Sequence, residues 1–224
     1  MLEKTKFTVD INLIDKSLEN FSSDTFRTAI NKPTGNFFYD PWEIKEEFFN
    51  TSWHKMISVL PKDLIGEARI IILKPNTCYQ THADIDDRYH LNLTGYKSYL
   101  INLETDELYE LVKDGIWYDM DAGKIHTAAN FGYEDRIQLV VRKLLKKNIL
   151  KNPKRVKIVT ELKNLEMARF LFDAHISPFL NKTNKEGIFS NFSYEDHAVN
   201  FDFEDERLVD IEKILPNEFQ LRAV

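Results

Sequence analysis

One cysteine, Cys78, is all that this chain carries. That excludes an internal disulfide framework and any all-cysteine zinc site, and it points to a reducing compartment. Basic charge is also scarce: 30 Lys and Arg stand against 36 Asp and Glu, for a net charge of −6 and a pI near 5.6. A non-specific nucleic-acid binder needs a basic face to displace counterions from phosphate, so nucleic acid is not an expected partner. No apolar run is long enough to cross a bilayer, and the N-terminal residues 1–6 lack the apolar stretch of a secretory signal. These absences predict a cytoplasmic protein with no membrane association. The sequon Asn191-Phe192-Ser193 is then a chance match without a glycan.

What is present is enough apolar material, 43% of residues, to bury a core in one domain with room for a small appended subdomain. Three zones follow one another. Residues 1 to about 60 open with the alternating run Lys6 to Ile11. Leu13, Ile14, Leu18 and Phe21 then have helical spacing, and a second helical pattern runs from Thr51 to Leu60 before Pro61. From Gly66 to about residue 145 the pattern changes to short strands separated by turn signals. They are expected at 68–73, 78–84, 89–93, 98–103, 107–112, 116–120, 124–128 and 136–142, with Asp114-Gly115 as a tight reversal. That spacing indicates an antiparallel sandwich or barrel.

Past residue 146 the strand pattern fades. The basic cluster from Lys143 to Lys157 reads as a solvated linker, and the acidic run Asp202 to Asp210 as a solvated surface. Leu162, Leu165, Met167, Phe170, Leu171 and Phe172 suit a buried helix broken at Ser177-Pro178, and Arg207 to Leu215 suits another. The expected organisation is 1–145 for the N-terminal elements plus a β core at about 66–145, and 146–224 for a helical extension.

The chemistry concentrates in the β zone. On a strand, residues i and i+2 point to one face, so His82 and Asp84 can look inward together, and closure of a barrel can bring His126 to them. Two imidazoles and one carboxylate without a thiolate leave adjacent coordination positions open, which suits Fe(II) better than a closed structural zinc site. A catalytic zinc fits the ligand types as well. Arg136 opens the last strand of the core on the same parity as Gln138 and Val140, opposite Ile137, Leu139 and Val141. An inward guanidinium there, permanently charged, asks for an anionic partner such as a dicarboxylate. Cys78 shares parity with His82, and a small buried thiol is its expected role. Asn130 suits a turn, Trp42, Trp53 and Trp117 suit packing against the barrel, and His54, His175 and His197 lack partners at ligand spacing.

The second half of the core reads Asp121-Ala122-Gly123-Lys124-Ile125-His126-Thr127-Ala128-Ala129-Asn130-Phe131, then Asp135-Arg136-Ile137-Gln138-Leu139-Val140-Val141. With His82-Ala83-Asp84 and Arg88-Tyr89-His90-Leu91 upstream, this resembles the aspartyl/asparaginyl β-hydroxylase family of 2-oxoglutarate oxygenases, which includes bacterial hydroxylases of free proline. The likeness covers residues 78 to 142. It implies a mainly β fold: a double-stranded β-helix of the cupin, or jelly-roll, type, with flanking N- and C-terminal helices. It implies Fe(II) held by His82, Asp84 and His126. It implies 2-oxoglutarate held by Arg136, with Arg88 and His90 near the co-substrate or the substrate carboxylate. The expected reaction uses O2 to hydroxylate an amino acid, either free proline or an Asp, Asn or Pro residue in a peptide, releasing succinate and CO2. The alternative is a non-catalytic cupin that binds a metal or a small anion as a sensor or binding protein.

Overall fold

The computed structural model describes residues 1–19, 21–22, 26–195 and 197–223. By packing, the chain divides into two compact units, residues 1–81 with 86–144 and residues 82–85 with 145–224.

The first unit opens with β1 (Leu2–Thr8), α1 (Ile11–Leu18), β2 (Arg27–Ala29), β3 (Asn31–Pro33), β4 (Trp42–Ile44) and α2 (Ser52–Ile57). Asp10 starts α1 by accepting from the Asn12 amide, and Thr51 starts α2 by accepting from the His54 amide, each filling an orphan donor of the first turn. The β zone follows as β5 (Ile65–Leu73), β6 (Thr77–Cys78), β7 (Arg88–Asn92), β8 (Ser98–Asn102), β9 (Glu107–Glu110), β10 (Ile116–Met120), β11 (His126–Asn130) and β12 (Arg136–Lys143). The strand at 78–84 expected from the sequence is only two residues long, because the chain leaves the sheet after Cys78.

These strands form two antiparallel sheets, one in the order β1-β10-β7-β12-β5-β2 and the other in the order β6-β11-β8-β9. Successive strands β5 to β12 pass between the sheets and return, which is the winding of a double-stranded β-helix, the cupin jelly roll. The outer face of the larger sheet carries Ala68, Ile70, Tyr89, Leu91, Trp117, Leu139 and Val141. They pack against Ile14 of α1 and Trp53, Met56 and Ile57 of α2, so the N-terminal helices cap that sheet. The Trp117 indole N–H donates to the Met56 carbonyl at 3.2 Å, which satisfies its one polar atom inside this core. Asp114-Gly115 is a bend and not the tight reversal expected: it carries the chain from β9 in the smaller sheet to β10 in the larger one, with Gly115 at φ +72 and an added Cβ only 2.4 Å from the Val9 carbonyl.

The second unit departs from the expected helical extension. It contains β13 (Pro153–Thr160), α3 (Leu165–Leu171), a π turn (Phe172–Ile176), α4 (Ser177–Glu186), β14 (Phe189–Glu195), β15 (Ala198–Glu204), α5 (Leu208–Ile214) and β16 (Phe219–Ala223). The strands make an antiparallel sheet in the order β14-β15-β13-β16. β13 was hidden in the basic cluster because it alternates: Val156 and Ile158 are buried, while Arg155 and Lys157 point out. Their partners lie on the same sheet: Arg155 pairs with Asp202 directly opposite on β15, and Lys157 reaches past β15 to Glu195 on β14, so charges from distant parts of the chain neutralise each other across the sheet. Ser177-Pro178 does not break a helix but starts α4, where proline fits the first turn, and Gly187 ends it at φ +84. Leu165 and Met167, expected to be buried, are exposed on α3.

Candidate metal centre

Donor atoms of His82, Asp84 and His126 all lie within 4.8 Å of one another. The His82 Nε2 to Asp84 Oδ2 separation is 3.8 Å. The two segments meet without the strand parity invoked from the sequence, since residues 79–87 are irregular apart from an isolated bridge at His82. His126 opens β11 and is 5% exposed, whereas the side chains of His82 and Asp84 are 27% and 14% exposed. The His126 Nδ1 lies 2.7 Å from the Lys124 carbonyl, which makes Nδ1 the protonated nitrogen and leaves Nε2 with its lone pair as the donor. Two imidazoles and a carboxylate are a donor set that fits a divalent ion with open positions. Cys78, expected inside, is exposed and stands apart from this set, because β6 ends there and the side chain falls on the outer side.

Arg136 opens β12, is 2% exposed, and faces away from Ile137, Leu139 and Val141, which turn toward the helix-capped core. Register carries the same inward face through Gln138 and Val140 to Arg142 on β12, through Arg88, His90 and Asn92 on β7, and through Arg69 on β5. The barrel interior is therefore strongly polar. Arg142 is held by Asp86 through two guanidinium nitrogens, Arg88 lies 3.5 Å from the same carboxylate, and Arg69 pairs with Glu67 at 2.9 Å. Arg88 is thus part of a largely buried charged cluster.

Arg136 differs. Its Nη2 donates to the Tyr79 hydroxyl at 2.9 Å and its guanidinium stacks 5.1 Å from the Tyr79 ring, but its Nε and Nη1 have no hydrogen-bond partner among the described residues. Burial pushes the Arg136 pKa down and the Tyr79 pKa up, and each partner's charge or dipole opposes the shift of the other. Tyr79 was not singled out from the sequence, although it stands just before the His82-x-Asp84 pair. The Tyr79 amide donates to the Ala128 carbonyl at 2.9 Å, and Thr127 Oγ1 donates to the Tyr79 carbonyl at 2.7 Å. These bonds lock Tyr79, and with it Arg136, to the strand that bears His126.

Asp173 is a second residue that sequence spacing could not reveal. It lies in the π turn, its Oδ1 accepts from Ser177 Oγ at 3.3 Å, and its Oδ2 is 3.5 Å from Arg169 Nε. Burial, followed by the Asp84 charge, pushes its pKa up to about 6. Asn130 takes the turn role: its Nδ2 donates to the Leu73 and Glu134 carbonyls and its Oδ1 accepts from the Gly132 amide, which fixes the reversal that aims β12.

No family model and no curated protein matches this chain. Among solved structures it is similar to a cupin domain from Bordetella pertussis Tohama I, with 14% identity over 38% of this chain and 85% of that one, at a TM-score of 0.32. It is also similar to CapF with the inhibitor 3-isopropenyl-tropolone, with 15% identity over 51% of this chain and 30% of that one, at a TM-score of 0.31. A sugar phosphate isomerase of the cupin superfamily from Silicibacter pomeroyi DSS-3 is 10% identical over 52% of this chain and 69% of that one, at a TM-score of 0.30. The assignment to a cupin jelly roll rests on the strand order of the two sheets, and the centre it carries is a His-Asp-His cluster able to hold a metal.

Proposed function

We propose that this protein is an Fe(II)- and 2-oxoglutarate-dependent dioxygenase that hydroxylates an amino acid, either free, with proline the leading candidate, or an Asp, Asn or Pro residue in a peptide. The observation that carries the reading is Arg136, a guanidinium 2% exposed that no carboxylate pairs with among the described residues. A buried charge left in that state costs several kcal/mol. A site is built that way when an anion from outside completes it. The distal carboxylate of 2-oxoglutarate would accept from Arg136 Nη1 and Nε, with the Tyr79 hydroxyl free to donate a further hydrogen bond.

His82, Asp84 and His126 would hold the iron, and the Nδ1 contact of His126 fixes the tautomer that presents Nε2 to it. When bound, Fe(II) supplies the oxidising chemistry: O2 places one oxygen atom in succinate as 2-oxoglutarate loses CO2, and the other in a C–H bond of the substrate. The chain's own contribution is orientation and exclusion of water. Arg136 and Tyr79 fix one end of the co-substrate, and the cationic interior around Arg88 and His90 would favour its other carboxylate or that of the substrate.

Anaerobic titration with Fe(II) and 2-oxoglutarate, followed by oxygen, tests the reading. The expected result is a visible charge-transfer band that decays on oxygenation, with succinate formed and one oxygen atom added to a member of an amino-acid and peptide panel by mass spectrometry. A band that persists in oxygen, with no succinate above background, would indicate a cupin that binds without turnover and would overturn the enzyme reading.

A further inference from the structure

The segment that carries His82 and Asp84 has almost no regular structure, yet Ala83 is fully buried and Ile85 is 5% exposed. Buried backbone groups need partners. The Ala83 amide donates to the Asp173 carbonyl at 3.0 Å, and the buried Asn181 donates from Nδ2 to the Ile85 carbonyl at 3.2 Å. Both partners come from one continuous stretch, the π turn Phe172–Ile176 and α4.

The π turn accounts for the first bond. In an α-helix the Asp173 carbonyl would accept from the amide of residue 177. Here the Ser177 amide donates to the Phe172 carbonyl instead, one residue further back. The shift releases the Asp173 carbonyl from the helix ladder and makes it available to Ala83. A π turn is a costly local feature that persists where it does something, and in this molecule it supplies the acceptor for the residue between the two candidate ligands.

We infer that Asn181 and the π turn position His82 and Asp84, gripping the backbone on either side of Asp84 so that both donors stay aimed at one point. The inference rests on the metal reading above. Asn181 is a positioning residue, acting through the Ile85 carbonyl.

Asn181→Leu removes the amide donor at similar volume, and Leu180→Ala, a neighbour on α4 without a bond to the segment, serves as the comparison for general loosening of the helix. Two quantities are measured on the full chain: the Co(II) dissociation constant, from the visible spectrum, and amide hydrogen exchange across residues 82–85 in the metal-free protein. Asn181→Leu is expected to weaken Co(II) about 10- to 100-fold and to speed exchange at Ala83, while Leu180→Ala leaves the Co(II) constant near wild type. If wild type binds Co(II) and Asn181→Leu leaves either quantity unchanged, or if Leu180→Ala weakens Co(II) as much, the positioning role is overturned. If wild type itself binds no Co(II), the metal reading falls instead, and the exchange comparison alone decides whether Asn181 holds the segment.

Discussion

A single guanidinium sets a cost in stability against the function proposed for this protein. Arg136 makes one hydrogen bond, to Tyr79, and leaves two buried nitrogens without partners among the described residues. Each such orphan costs about 1–3 kcal/mol. Arg136→Met should therefore raise the stability of the metal-free protein by about 1 kcal/mol in urea unfolding, and weaken 2-oxoglutarate binding at least about 30-fold in calorimetry, since truncating a buried charge partner costs about 2–5 kcal/mol. An unchanged 2-oxoglutarate affinity would remove Arg136 from the site. Asp173 gives a pH signature of its own. Its carboxyl is raised from 3.8 to about 6, so the folded state holds this proton more tightly than the unfolded state does. That contribution to stability is fully present below pH 3.8 and is lost as pH rises through about 6. The stability of wild type minus that of Asp173→Asn, both metal-free, should fall by about 3 kcal/mol across this window; a flat difference would mean that Asp173 is hydrated.

Elements in this chain were legible where one face is apolar and the other polar. β10 (Ile116–Met120) lies where the sequence placed it, and β12 extends the expected 136–142 by one residue, because their alternation and flanking turns leave little choice. β13 was not legible, since its outward face is Arg155 and Lys157 and its inward residues are Val156 and Ile158, too few to outweigh the charges in a window. The acidic residues that neutralise it sit on strands β14 and β15, far along the chain. Helix ends were clearer in chemistry than in position. Ser177-Pro178 reads as a breaker, yet a proline in the first turn loses no hydrogen bond and starts α4. Gly187 closes the same helix at φ +84, with nothing within 4 Å of an added Cβ, so the backbone alone sets the cost of replacing it. Gly187→Ala should destabilise the protein by about 1 kcal/mol in chemical unfolding; no change would mean that α4 ends differently in solution.

For the molecule as a whole, the proposed ligands and the fold are linked. A ligand that binds only the folded state stabilises it by RT ln(1 + [L]/Kd), about 2.7 kcal/mol at a hundredfold excess over Kd. With Mn(II) in place of Fe(II), 2-oxoglutarate should raise the thermal midpoint of wild type by several degrees, and by much less in His126→Ala or without metal. An equal rise in His126→Ala would show that the dicarboxylate binds elsewhere. Among the described residues no helix is long and apolar enough to cross a membrane, as the sequence indicated.

By itself the sequence determined the jelly-roll core and the donor types, because period-two alternation between turn signals is a local property and imidazole, carboxylate and guanidinium chemistry is carried by the residues themselves. It also determined that Arg136 would need an anion if it faced inward. Which way Arg136 faces was left open by a strand flanked by bulk on both sides, and only the packing of α1 and α2 on the opposite face decided it. Tertiary structure alone also brought His126 to His82 and Asp84, chose Tyr79 as the partner of Arg136, and turned the Asp173 carbonyl out of its helix toward Ala83. Those contacts join residues distant in the chain, and no spacing encodes them: they exist because two sheets close on each other and because one helical turn is wound a residue wide.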